Sequence, residues 1–216
     1  MREHYTKTPE GSYKSNYFKK PEDIYLDDYW SAKQNHSTIH EQVFNVTEKN
    51  ELVKEALTKI EPKTILEIAC APGILLGELS ESFQTHGIEV DESYKNDIQH
   101  LAQSAKLDFG FFPEITKDWE HETFSNIIAL DVFEHVEDGM AFLKECHRLL
   151  CEGGRLIIQA PIMFENDVMD EKQFHETEHI WIYSLDHVLT MAGRCGLLLV
   201  EYSQWKLGHE QIVFIK

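Results

Sequence analysis

Cysteine is scarce and unpatterned in this chain of 216 residues. Cys70, Cys146, Cys151 and Cys195 form no CxxC pair. That spacing excludes a zinc-ribbon or disulfide framework and suits reduced, partly buried thiols of a cytoplasmic protein. Positive charge is also short. Lys and Arg number 20 against 38 Asp and Glu, a formal net charge of -18. Such a surface repels phosphate backbones, so no nucleic-acid partner is expected. Long apolar runs are missing: no stretch of about eighteen apolar residues occurs, and no membrane association is expected. The opening MREHYTKTPEGSYKSNYFKK is polar and lacks the apolar core of a signal peptide. The last scarcity is local. In LEIACAPGILL, residues 66–76, an apolar run leads into a turn where a phosphate cradle would need two or three glycines, and only Gly73 is there.

What the chain does have is alternation. With 42% hydrophobic residues it can fill a core. Val43, Val46, Leu52, Val53, Leu57 and Ile60 recur at helical spacing, and Pro62 ends that helix. From there strands and helices take turns. KTILEIA, THGIEV, LDFGFF, FSNIIAL and RLIIQAP read as strands, separated by GILLGELSESF, SYKNDIQHLAQSA and EDGMAFLKECHRLL as helices. The glycines of EGG at 152–154 are expected to close the last of these helices with a left-handed turn. SLDHVLTMAGRCG reads as a helix with Ser184 as N-cap and Gly196 as stop. LLLVEYS and EQIVFIK finish the chain with no helix between them, a connection too short for a parallel crossover. The expected fold is α/β: a doubly wound, mostly parallel seven-stranded sheet with helices on both faces and an antiparallel last strand. Residues 1–35 read as irregular or as short helices, an N-terminal helical arm. The division is an arm or lid at 1–40 and a catalytic domain at 41–216.

The ordered motifs resemble those of the class I S-adenosylmethionine-dependent methyltransferases, whose Rossmann-like first loop runs acidic–x–Gly–x–Gly–x–Gly. Laid on EIACAPG, the pattern puts Glu67 at the acidic position, Ala69 and Ala71 at the first two glycines, and Gly73 at the third. GIEVDES at 87–93 is similar to the end of the second strand, ALDVFEHVED at 129–138 to the fourth strand and its loop, and LLCEGGRLIIQAP at 149–161 to the turn and fifth strand. The resemblance covers roughly residues 40–216. It implies S-adenosylmethionine as cofactor and S-adenosylhomocysteine as product. It also implies that Glu67 holds the ammonium end. Glu89 takes the ribose hydroxyls with Val90 beside it, and Asp91 is the next choice. Phe111 or Phe112 walls the adenine, and Asp131 faces the methionine part. A cofactor without phosphate tolerates alanines in this loop where those positions avoid a positive φ; Ala71 is the position in question.

Methyl transfer needs an aligned acceptor and, for some acceptors, a base. His135 follows the fourth strand on the cofactor side, and His175 and His179 lie in HETEH after the fifth. These three are the candidate catalytic residues, and no metal site is assigned. Tyr25, Tyr29 and Trp30 in YLDDYW are candidate contacts for a small-molecule acceptor from the arm, with His36 and His40 as further lid residues. Two other readings stand beside methyl transfer. One is a relative that binds cofactor or partner without catalysis. The other is a zinc hydrolase, because HETEH satisfies H-E-x-x-H; that motif needs a helix to align its histidines.

Overall fold

A computed structural model describes residues 4–18, 50–163, 179–206 and 209–216. The strands are β1 (Tyr5–Lys7), β2 (Tyr13–Ser15), β3 (Thr64–Ile68), β4 (Gln84–Glu89), β5 (Lys106–Phe109), β6 (Phe124–Leu130), β7 (Leu150–Ala160), β8 (Ile162–Met163), β9 (Trp181–Ser184), β10 (Leu198–Lys206) and β11 (His209–Ile215). The helices are α1 (50–56), α2 (Ile74–Leu79), α3 (Lys95–Leu101), α4 (Gly139–Leu149) and α5 (Leu185–Arg194).

Seven strands form one sheet in the order β10-β11-β7-β6-β3-β4-β5. β5, β4, β3, β6 and β7 run parallel, and β11, the last strand, lies antiparallel between β7 and the edge strand β10, which runs in the common direction. This is the expected doubly wound sheet with an antiparallel end. Its central strands are apolar because helices cover both faces. On one face Leu66, Ile127, Ala129, Leu156, Ile158 and Phe214 pack against Phe142, Leu143 and Cys146 of α4 and Val188 and Ala192 of α5. On the other, Ile65, Ile128, Ile157 and Val213 pack against Val53 and Ala56 of α1 and Leu75 and Leu79 of α2. Among the described residues no helix is long and apolar enough to cross a membrane.

Three local features differ from expectation. The described part of the arm is a β-hairpin, β1–β2, and β2 pairs with β9 in a second, four-stranded sheet of order β1-β2-β9-β8. WIYS at 181–184 is therefore a strand. α4 is not closed by the glycine pair. It ends at Leu149, and β7 begins at Leu150 with extended backbone; the positive φ, +74°, falls later at Gly153, where β7 bulges out of register with β6. The third strand stops at Phe109, short of Phe111 and Phe112. Ser184 caps α5 as expected, its side chain accepting from the backbone N–H of His187, and Gly196 follows the helix at φ +85°.

Candidate active site

The parallel strands end on one edge of the sheet, and the loops that leave this edge carry the candidate residues, as in other open α/β sheets. β3 brings Glu67 to that edge one residue before its end. The loop 69–73 then turns into α2. Gly73 sits there at φ +98°, and a Cβ on it would lie 2.9 Å from the Cα of Ile98 in α3. Glycine is needed on both counts. Ala71 has no positive φ; the left-handed residue is Ala69, at φ +58°. Backbone strain in this loop therefore sits two residues before the expected place.

Glu89 closes the loop. Ala71 N–H donates to its Oε2 at 3.1 Å, and the N–H groups of Val90 and Asp91 donate to Oε1 at 2.8 and 3.0 Å. Three of about four acceptor sites on this carboxylate are thus taken by backbone, leaving room for one hydroxyl rather than two. Burial pushes the Glu89 carboxyl up, against the pull of those hydrogen bonds. Asp91 is also buried; its Oδ1 accepts from Ser93 N–H and its Oδ2 has no partner. Glu67 is buried with Oε2 unpartnered. Burial first, then the Glu89 charge, pushes its carboxyl up to about 8.

Three buried carboxyl groups therefore crowd the first loop, two of them with an oxygen that lacks a donor. That set suits a ligand bringing an ammonium group and hydroxyls, and it repels a phosphate by like charge. S-adenosylmethionine fits on these grounds.

Of the two phenylalanines after β5, Phe112 packs into the core, edge-on to Phe142 at 4.9 Å. Phe111 lies outside that cluster and half-buried, which leaves it for the ligand side. Asp131 follows β6 at φ +52°, its N–H donating to Gln159 O at 2.8 Å.

His135 lies in a 3-10 turn, Phe133–His135, just beyond Asp131. Its ring meets that of His179 edge-on at 4.8 Å between centroids. A run of rings holds the pair together. Phe133 stacks on Tyr183 at 4.7 Å, Tyr183 stacks on Trp181 at 5.3 Å, and Trp181 Nε1–H donates to Glu137 O at 3.2 Å. Tyr5 of β1 donates its hydroxyl to the His179 carbonyl at 3.1 Å. The small sheet thus carries His179 to His135. Continuing from His179 the chain enters β9, and residues 175–178 of HETEH lie outside the described residues. Tyr25, Tyr29, Trp30, His36, His40 and His175 lie outside the described residues.

Two groups at this edge escaped the sequence reading. Glu134, 2% exposed, stands beside His135. Gln159 pairs with Leu130 across β6 and β7 and is also buried. Gln211 donates to Leu52 O, which turns the Gln211 Oε1 toward Gln159 Nε2 at 2.8 Å and leaves Gln159 Oε1 without a donor. In the sequence, Glu134 is one half of an ordinary Glu–His pair and Gln159 one polar residue in a strand; only burial sets them apart.

A family model described as a methyltransferase domain matches residues 39–202, and the chain belongs to that family. Its cofactor is S-adenosylmethionine. A curated relative, the ubiquinone biosynthesis O-methyltransferase of Caulobacter vibrioides, is 27% identical over 146 residues, 61% of this chain and 57% of that protein. The chain thus matches little more than half the length of that relative. Among solved structures, geranyl diphosphate C-methyltransferase from Streptomyces coelicolor, in complex with Mg2+, geranyl diphosphate and S-adenosyl-L-homocysteine, superposes with a TM-score of 0.65 at 11% identity, covering 78% of this chain and 77% of that one. The [4+2]-cyclase SpnF superposes at 0.64 and 12% identity, covering 77% and 80%. At these identities the structural likenesses speak for the fold.

Proposed function

We propose that the protein transfers the methyl group of S-adenosylmethionine to a small-molecule acceptor held over the ends of β6 and β7. Glu67 and Asp91 supply acceptor oxygens for the cofactor's ammonium and hydroxyl groups, Glu89 fixes the loop and accepts one hydroxyl, and Phe111 lies along the adenine. Asp131 and His135 face the methyl side. The carrying observation is the set of buried, donor-seeking carboxylates on the strand ends, on the edge of the sheet from which the loop bearing His135 also leaves. Oxygen acceptors are the first to test, because the curated relative is named as an O-methyltransferase. Tyr25, Tyr29, Trp30 and His175 belong to segments that, on this reading, border the acceptor.

Calorimetry with S-adenosylhomocysteine and a turnover assay across phenol, amine and carbon acceptors test the proposal. Heat of binding together with product from at least one class is the expected result. Folded protein that gives no heat with the cofactor or its product would refute it. A second reading, cofactor binding without methyl transfer, draws on the strained alanine at 69 and on the cyclase neighbour; the fold hosts more than one chemistry. Tight cofactor binding with no turnover on the full panel would favour it.

A further inference from the structure

The histidine pair has a third member. Glu134 Oε1 lies 3.8 Å from His135 Nε2, and one ligand atom from each of Glu134, His135 and His179 lies within 4.8 Å of the others. The carboxylate is buried and both rings are partly open, so the group has a closed floor and an accessible side. Two separate segments build it. The turn after β6 brings Glu134 and His135, and the residue ahead of β9 brings His179. The stack of Phe133, Tyr183 and Trp181 fixes the two segments against each other.

Two imidazole nitrogens and one carboxylate oxygen form a mixed N/O donor set. It suits Zn2+, Mn2+, Fe2+ or Co2+ better than Mg2+, which prefers oxygen. Three protein ligands leave a coordination position open, the arrangement of a reactive rather than a structural site. Metal bonds of about 2.0–2.2 Å bring donor atoms to roughly 3 Å apart, so the Glu134–His135 pair, at 3.8 Å, has to close by about an ångström and the widest pair, within 4.8 Å, by up to about two, a movement that side-chain rotation has to supply.

We propose that Glu134, His135 and His179 bind one divalent transition-metal ion at the acceptor side of the site. Its open position takes an oxygen of the acceptor. The metal-binding half of this proposal stands on the cluster; the catalytic half rests on the methyl-transfer reading above. In that half the bound acceptor hydroxyl loses its proton to solvent, because a coordinated oxygen is more acidic. An oxygen lone pair then attacks the cofactor's methyl carbon. The carbon–sulfur bond breaks with its electrons going to sulfur, giving the methyl ether and S-adenosylhomocysteine. Acceptors with two neighbouring oxygens, such as catechols, gain most from such an ion.

The test uses the full chain after treatment with chelator, titrated with Co2+ alone and then with Zn2+. The expected result is one Co2+ per chain with visible bands and no sulfur-to-cobalt charge transfer, displaced by Zn2+. His179→Ala and Glu134→Gln should each weaken binding at least tenfold to a hundredfold, the loss that even an outer partner of a metal ligand produces. Both should still bind S-adenosylhomocysteine, which reports the fold; if Glu134→Gln does not, His179→Ala decides. No stoichiometric binding, equal binding by His179→Ala, or a charge-transfer band from cysteine would each overturn the site. Turnover that persists in chelator removes the metal's catalytic role and leaves methyl transfer standing. Stoichiometric metal without cofactor binding removes methyl transfer and leaves the site.

Discussion

Ala69 carries a side chain at a left-handed φ of +58°, which costs an L-residue about 1–2 kcal/mol. Glycine relieves that strain but adds entropy to the unfolded chain. Ala69→Gly is expected to raise the unfolding free energy by about 1 kcal/mol, while Ala71→Gly, at an ordinary φ, should lower it by about 0.5 kcal/mol. Urea denaturation of the cofactor-free protein separates the two; equal shifts would mean the strain is misplaced. Glu67 makes a second test. Its carboxyl is pushed up to about 8 in the folded protein from an ordinary 4.5. Between those values the folded state holds a proton that the unfolded chain has released, so stability falls as pH rises through the window. Glu67→Gln should flatten this fall. An ammonium group arriving beside Glu67 favours the ionised form, so cofactor binding near pH 7 should release a proton. Calorimetry in buffers of different ionisation enthalpy reads that release; its persistence in Glu67→Gln would assign the proton elsewhere. Glu67, Glu89 and Gly73 were legible because strand ends and turns leave short-range spacings. Glu134 and Gln159 were not, because burial has no local signature.

Among the elements, the β1–β2 hairpin has the widest reach. Ser12 beside β2 is fully buried; its Oγ accepts Ser184 N–H at 2.9 Å and shares a hydrogen bond with His187 Nδ1 at 2.7 Å. It thus ties the arm to the end of β9 and the start of α5. Ser12→Ala leaves a buried N–H without an acceptor and should cost about 1–3 kcal/mol in chemical denaturation. A loss within experimental error would show that the hairpin is not needed to hold β9. In the seven-stranded sheet, on the loop after β3, Gly73→Ala forces a Cβ against Ile98 and keeps a positive φ. It should destabilise by about 1–3 kcal/mol and abolish binding of S-adenosylhomocysteine, read by melting with and without ligand. The hairpin was hidden in the sequence because three-residue strands rich in Lys and Tyr carry too few residues to show a period of two. The long strands and α4 and α5 were plain, because each buries a full stripe or both faces.

For the whole molecule, the net charge of -18 is a large excess of one sign. Self-repulsion destabilises the compact state, and salt screens it over a Debye length of about 10 Å at 0.1 M. The melting temperature at pH 7 should therefore rise with added NaCl; a fall would mean that specific ion pairs outweigh repulsion. The sequence by itself determined the seven-stranded alternation, the antiparallel finish and the carboxylates on the strand ends. Periodicity and loop length are local properties, and a parallel sheet follows from them with few alternatives. Only the tertiary structure decided that strain falls on Ala69, that Glu89 spends most of its acceptors on backbone, and that His179 meets Glu134 and His135. Each depends on segments far apart in the chain being pressed together by buried apolar surface, and no spacing within either segment encodes that meeting.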